Sequence, residues 1–83
     1  VTIGLDAAVV ADHQVAIRGD GIRENFRVAP TLAGMRKLTE RLSPYAGALV
    51  VAEPTGGTWL PLSYAIADAG CELGLVQMPN RDR

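Results

Sequence analysis

Two acidic residues stand where they could do chemistry together. Asp6 closes a short apolar run, Val1-Thr2-Ile3-Gly4-Leu5, and Glu53 closes a second, Ala48-Leu49-Val50-Val51-Ala52. If both runs are strands, neighbours and parallel, the two carboxylates emerge at one C-terminal sheet edge, where open α/β sheets hold their ligands. Carboxylates held that close repel unless one is protonated or a cation lies between them. A hard divalent ion answers this with oxygen ligands; Mg²⁺ takes one or two carboxylates plus waters and substrate phosphate oxygens. Paired metal ions of this kind clamp the attacking and leaving oxygens of a phosphodiester. Two carboxylates are few for a complete centre of that type. Each residue also has a plainer reading, Asp6 as a turn or helix-capping residue and Glu53, before Pro54, as a solvated loop residue.

The elements that must position this pair can be followed along the chain. His13 to Arg18 alternates Val15 and Ile17 with Ala16 and Arg18, the period of a strand. Gly19-Asp20-Gly21 signals a tight hairpin. Ile22 to Val28 sets Ile22, Glu24, Phe26 and Val28 on one side and Arg23, Asn25 and Arg27 on the other, a charged face suited to a sheet edge. These runs and the first strand form an antiparallel meander. Thr31 is a helix N-cap, followed by Leu32, Met35, Leu38 and Leu42 at helical spacing, and Ser43-Pro44 ends that helix. The continuous apolar run Ala48–Ala52 predicts a strand buried on both faces. Pro54 to Thr58 is a loop, Trp59–Ala69 a second helix with Pro61 in its first turn, and Leu73–Val76 a fifth strand. Met78 to Arg83 is polar and without predicted structure. The order is β-β-β-α-β-α-β, with the helix-connected strands parallel to the first.

Bulk properties bound the function. At 83 residues the chain is one small domain, and its hydrophobic fraction of 48% is enough for a core. The net charge of -1 gives no overall electrostatic footprint for nucleic acid, so any such role rests on a local face or on parts outside this sequence. The single cysteine, Cys71, cannot staple the fold and reads as a small buried residue in a protein of a reducing, cytoplasmic compartment. No apolar run is long enough to span a membrane, and the start does not read as a signal peptide. The chain opens with Val1, so either initiation uses a valine codon or residues lie upstream.

Other residues carry paired readings. Thr55, Gly56 and Gly57 could bring free backbone N–H groups to a phosphate at the start of the second helix, or serve only to turn the chain into it. Trp59 could stack on a nucleobase, or anchor the helix on the sheet. Arg36, Lys37 and Arg41 read as a solvated helix face, with phosphate contact as the alternative. His13 has no partner in the sequence and reads as a surface strand residue.

Beyond these patterns, the chain resembles a family. Ile3-Gly4-Leu5-Asp6 looks like the opening strand of RNase H-like (RuvC-type) nucleases. Val51-Ala52-Glu53-Pro54-Thr55-Gly56, followed by Trp59 and Leu60-Pro61-Leu62, is similar to the E-x-T-G motif of bacterial insertion-sequence transposases of the IS one-ten family. Ala69 to Pro79 looks like that family's next segment. The resemblance covers nearly the whole chain. It implies an RNase H-like α/β fold, incomplete at its C-terminus, with residues 1–83 as the N-terminal part of the nuclease domain. It implies Asp6 and Glu53 as the first two carboxylates of a DEDD set binding Mg²⁺ or Mn²⁺. Asn80-Arg81-Asp82-Arg83 does not match the segment that carries the last two. The family's proteins also carry a second domain with a catalytic serine. They cut and join DNA at element ends and target, use a guide RNA and work as oligomers in the bacterial cytoplasm. The alternatives are a fragment of an actin-like or sugar-kinase-type ATPase, disfavoured because Ala7-Ala8-Val9-Val10 replaces the expected glycine-rich turn, and a non-catalytic transposon remnant.

Overall fold

A computed structural model describes residues 1–8, 11–52 and 59–75, with Trp59 described by its backbone alone. The elements are β1 (Thr2–Asp6), β2 (His13–Gly19), β3 (Ile22–Val28), α1 (Leu32–Leu42), a 3-10 turn (Ser43–Tyr45), β4 (Leu49–Ala52), α2 (Trp59–Asp68) and β5 (Glu72–Leu75). The five strands form one mixed sheet in the order β3-β2-β1-β4-β5. β1 pairs antiparallel with β2, and β2 with β3; β4 is parallel to β1, and β5 to β4. The expected α/β architecture and strand directions are therefore present. β4 is shorter than the apolar run that predicts it, and β5 starts one residue earlier, at Glu72.

Local chemistry explains the boundaries. Asp20 (φ 50°) and Gly21 (φ 80°) are the two loop residues of the β2–β3 hairpin, the signs of a type I′ turn whose twist matches the strands it joins. Thr31 caps α1, its hydroxyl accepting from the Gly34 N–H at 3.1 Å. Gly34 is required where it stands, because a Cβ there would lie 1.8 Å from the Ala29 carbonyl oxygen. The absence of a side chain thus lets α1 start directly against the end of β3.

The core lies on one face of the sheet. Ile3 and Leu5 of β1, Val15 and Ile17 of β2 and Val50 and Ala52 of β4 pack against Leu38 and Leu42 of α1 and Leu62, Ala65, Ile66 and Ala69 of α2. Each large aliphatic side chain buried this way contributes about 1.5–3 kcal/mol. Thr39 ties the two helices, its hydroxyl donating to the Ala65 carbonyl at 3.0 Å. Cys71 is buried as expected, its Sγ 3.4 Å from the Tyr45 carbonyl oxygen, and burial pushes its thiol pKa up.

Three expectations are corrected here. β4 is covered on one face only among the described residues: Val50 and Ala52 are buried, while Leu49 is exposed and Val51 half-buried. Leu32 is 70% exposed and does not join the buried stripe of α1, which is Gly34, Leu38 and Leu42. Arg41 is half-buried and engaged, not free on a solvated face. Its guanidinium lies 4.1 Å from the Phe26 ring centroid and 3.3 Å from Glu24 Oε1, closing α1 onto β3.

Candidate functional site

Alternation along the strands decides which side chains share the second face of the sheet. In β1 the exposed Thr2, half-buried Gly4 and exposed Asp6 alternate with buried Ile3 and Leu5. The register carries this parity across the sheet. Gly4 is level with Ala16 of β2 and Val51 of β4, and Asp6 is level with Gln14, which in turn is level with Arg27 of β3. Asp6, Gln14 and Arg27 therefore form one transverse row on the face away from both helices. All three are exposed.

This face holds an open cleft of about 1060 Å³. Its floor is low because Gly4 and Ala16 carry little side chain, and a Cβ on Gly4 would meet nothing within 4 Å. Asp6 and Asp12 stand at one end, and Gln14, Asn25, Arg27 and Lys37 line the rest. The Lys37 ammonium donates to the Arg27 carbonyl at 3.0 Å, which holds a second positive charge at the Arg27 end of the row.

Asp6 thus lies at the C-terminal end of β1, beside a parallel neighbour and facing open space, as ligation would require. The β1–β4 ladder runs from Thr2–Leu49 to Leu5–Ala52. Glu53, Thr55 and Gly56 lie outside the described residues, as does the side chain of Trp59. Among the described residues no group of three or more His, Cys, Asp or Glu side chains is placed to hold a metal.

His13 is the residue whose part the sequence reading missed. It is 2% exposed, not a surface residue. The Ala8 N–H donates to its Nδ1 at 3.0 Å, so the ring accepts there and carries its proton on Nε2 when neutral. Burial lowers its pKa from the ordinary 6.5, against an opposing pull from Asp12. This hydrogen bond fastens the segment that leaves Asp6. The signal was its phase: His13 shares the parity of Val15 and Ile17 and is level with the buried Val28.

Glu24 likewise faces inward at the edge strand. Tyr45 donates to its Oε2 at 2.6 Å, and this bond, with that from Arg41, holds the carboxyl below its usual range. The same contact raises the Tyr45 phenol. Both are structural links between β3 and the end of α1.

No protein-family model matches the chain, and a search of curated proteins finds no match. Among the described residues no helix is long and apolar enough to cross a membrane.

Proposed function

We propose that the chain is the N-terminal part of an RNase H-like (RuvC-type) metal-dependent nuclease domain, of the kind found in IS one-ten-type transposases. In this reading Asp6 and Glu53 contribute to a divalent-metal site acting on DNA phosphodiesters. The observation that carries it is the position of Asp6: an exposed carboxylate at the C-terminal end of β1, beside parallel β4, at one end of an open cleft. The residue offset of the β1–β4 ladder is also the offset between Asp6 and Glu53 in the sequence. The strand order, an antiparallel meander extended by two parallel strands through helices, supports the same reading.

The donor chemistry fits Mg²⁺ or Mn²⁺. A carboxylate in open solvent, with the Gln14 level and Asp12 lining the same cleft, suits a hard ion that keeps most of its waters. When bound, the metal supplies charge neutralisation at a phosphodiester oxygen. The chain's own part is to hold Asp6 at a fixed strand end, with His13 pinning the segment that follows. Further carboxylates of the set, the second domain and its serine, the guide RNA and the oligomer belong to the proposal through the resemblance alone.

The test is Mn²⁺ binding followed by water-proton relaxation. Weak binding that is lost in Asp6→Asn and in Glu53→Gln is expected. Binding unchanged in both variants would overturn the reading.

A further inference from the structure

Charge is distributed along the cleft in a way the metal does not explain. One end carries Asp6 and Asp12; the other carries Arg27 with Lys37 held beside it. Between them is the Gln14 amide in the same row, and the Asn25 amide lies beside Arg27 on β3, one row away. With strands spaced about 4.8 Å apart, the Arg27 backbone is roughly 10 Å from that of Asp6, about three nucleotide rises along one strand of a duplex. The floor at Gly4 and Ala16 leaves room for a backbone to lie flat.

We infer that the Asp6–Gln14–Arg27 row is a phosphate track, in which Arg27 and Lys37 bind the backbone of a nucleic-acid strand whose phosphodiester about three rises further along lies at Asp6. The inference rests on the nuclease reading for the identity of its ligand. Arg27 supplies a planar fork of donors suited to a phosphate, and Lys37 has two N–H groups left after its bond to the Arg27 carbonyl. The amides of Gln14 and Asn25 add neutral donors that read no sequence. Arg18, on the same face, is engaged otherwise: its guanidinium donates to the carbonyls of Ile17 and Glu24 and to Asn25 Oδ1. Arg23 sits on the same face of β3 as Arg27, four residues away and so about 13 Å along the strand, outside the cleft.

That geometry provides an internal control. Binding of a fluorescein-labelled single-stranded DNA of mixed sequence, and of its duplex in a second arm, is measured by anisotropy with the whole chain in EDTA. Arg27→Ala is expected to weaken binding roughly tenfold. It should also lower the salt slope by about 0.7 on the single strand or 0.9 on the duplex. Arg27→Lys should restore part of the affinity, and Arg23→Ala, with the same loss of charge, should leave it within about twofold. Equal losses from Arg23→Ala and Arg27→Ala would reduce the track to general electrostatics and overturn the inference. So would the failure of either DNA form to bind. The two proposals fail separately. Mn²⁺ binding at Asp6 with DNA binding indifferent to Arg27 leaves the nuclease reading and removes the track; the reverse pattern leaves a nucleic-acid surface without a metal site.

Discussion

His13 joins stability to pH at a single residue. Its neutral ring is buried and accepts the Ala8 N–H, and desolvation lowers its pKa in the folded state. As pH falls, the unfolded chain therefore takes up the proton first. The stabilisation is fully present above the ordinary value of 6.5 and is lost as pH drops from there toward the lower folded-state pKa. Urea midpoints should be level above the ordinary value of 6.5 and decline as pH falls below it. His13→Gln should lower the midpoint at pH 7.5 and flatten that decline; an unchanged slope in the variant would assign the pH dependence elsewhere. Only the phase of His13 was legible in the sequence, where alternation aligns it with Val15 and Ile17, and the reading of it as a surface residue was wrong. Its polarity suggested the surface, but the acceptor need of a backbone N–H in the following of Asp6 is a tertiary fact. Glu24 shows the same point: its phase with Phe26 was visible, while the Tyr45 phenol that satisfies it comes from a distant turn.

Among the elements, the junction of β3 and α1 is the least tolerant. Gly34 lies against the Ala29 carbonyl, and the added methyl of Gly34→Ala would overlap it at 1.8 Å. The clash is with backbone, so relief requires α1 to shift relative to β3. A loss of about 1–3 kcal/mol is expected in urea unfolding, despite alanine's better helix propensity. A stabilised variant would show that the helix start is free to move. The sequence marked this helix through Thr31 and the spacing of Leu38 and Leu42, and both proved right. It could not show which apolar residue stays outside. Leu32 fits the periodic stripe, yet it sits in the first turn, before α1 reaches over the sheet, and remains exposed. β4 failed to follow its own pattern for a related reason. A run of apolar residues reports what a strand can bury, and only Val50 and Ala52 meet the helices.

Across the whole molecule, both helices cover one sheet face among the described residues, and the other face carries Asp6 and the cleft. Sequence reasoning reached the strand order's main consequence, the parallel pairing that brings the ends of β1 and β4 side by side, because helical crossovers allow little else. It did not reach the transverse row of Asp6, Gln14 and Arg27, which depends on the register of two hairpin-linked strands. A divalent-metal site at that end of the sheet would show itself as paramagnetic broadening by Mn²⁺ in amide NMR spectra. Asp6, Leu5 and Gln14 are expected to broaden first. The row of Thr2, Leu49 and Glu72, about 13 Å away along the strands, should stay sharp, and Asp6→Asn should abolish the effect. Broadening centred on another carboxylate, or persisting at Gln14 in Asp6→Asn, would contradict it.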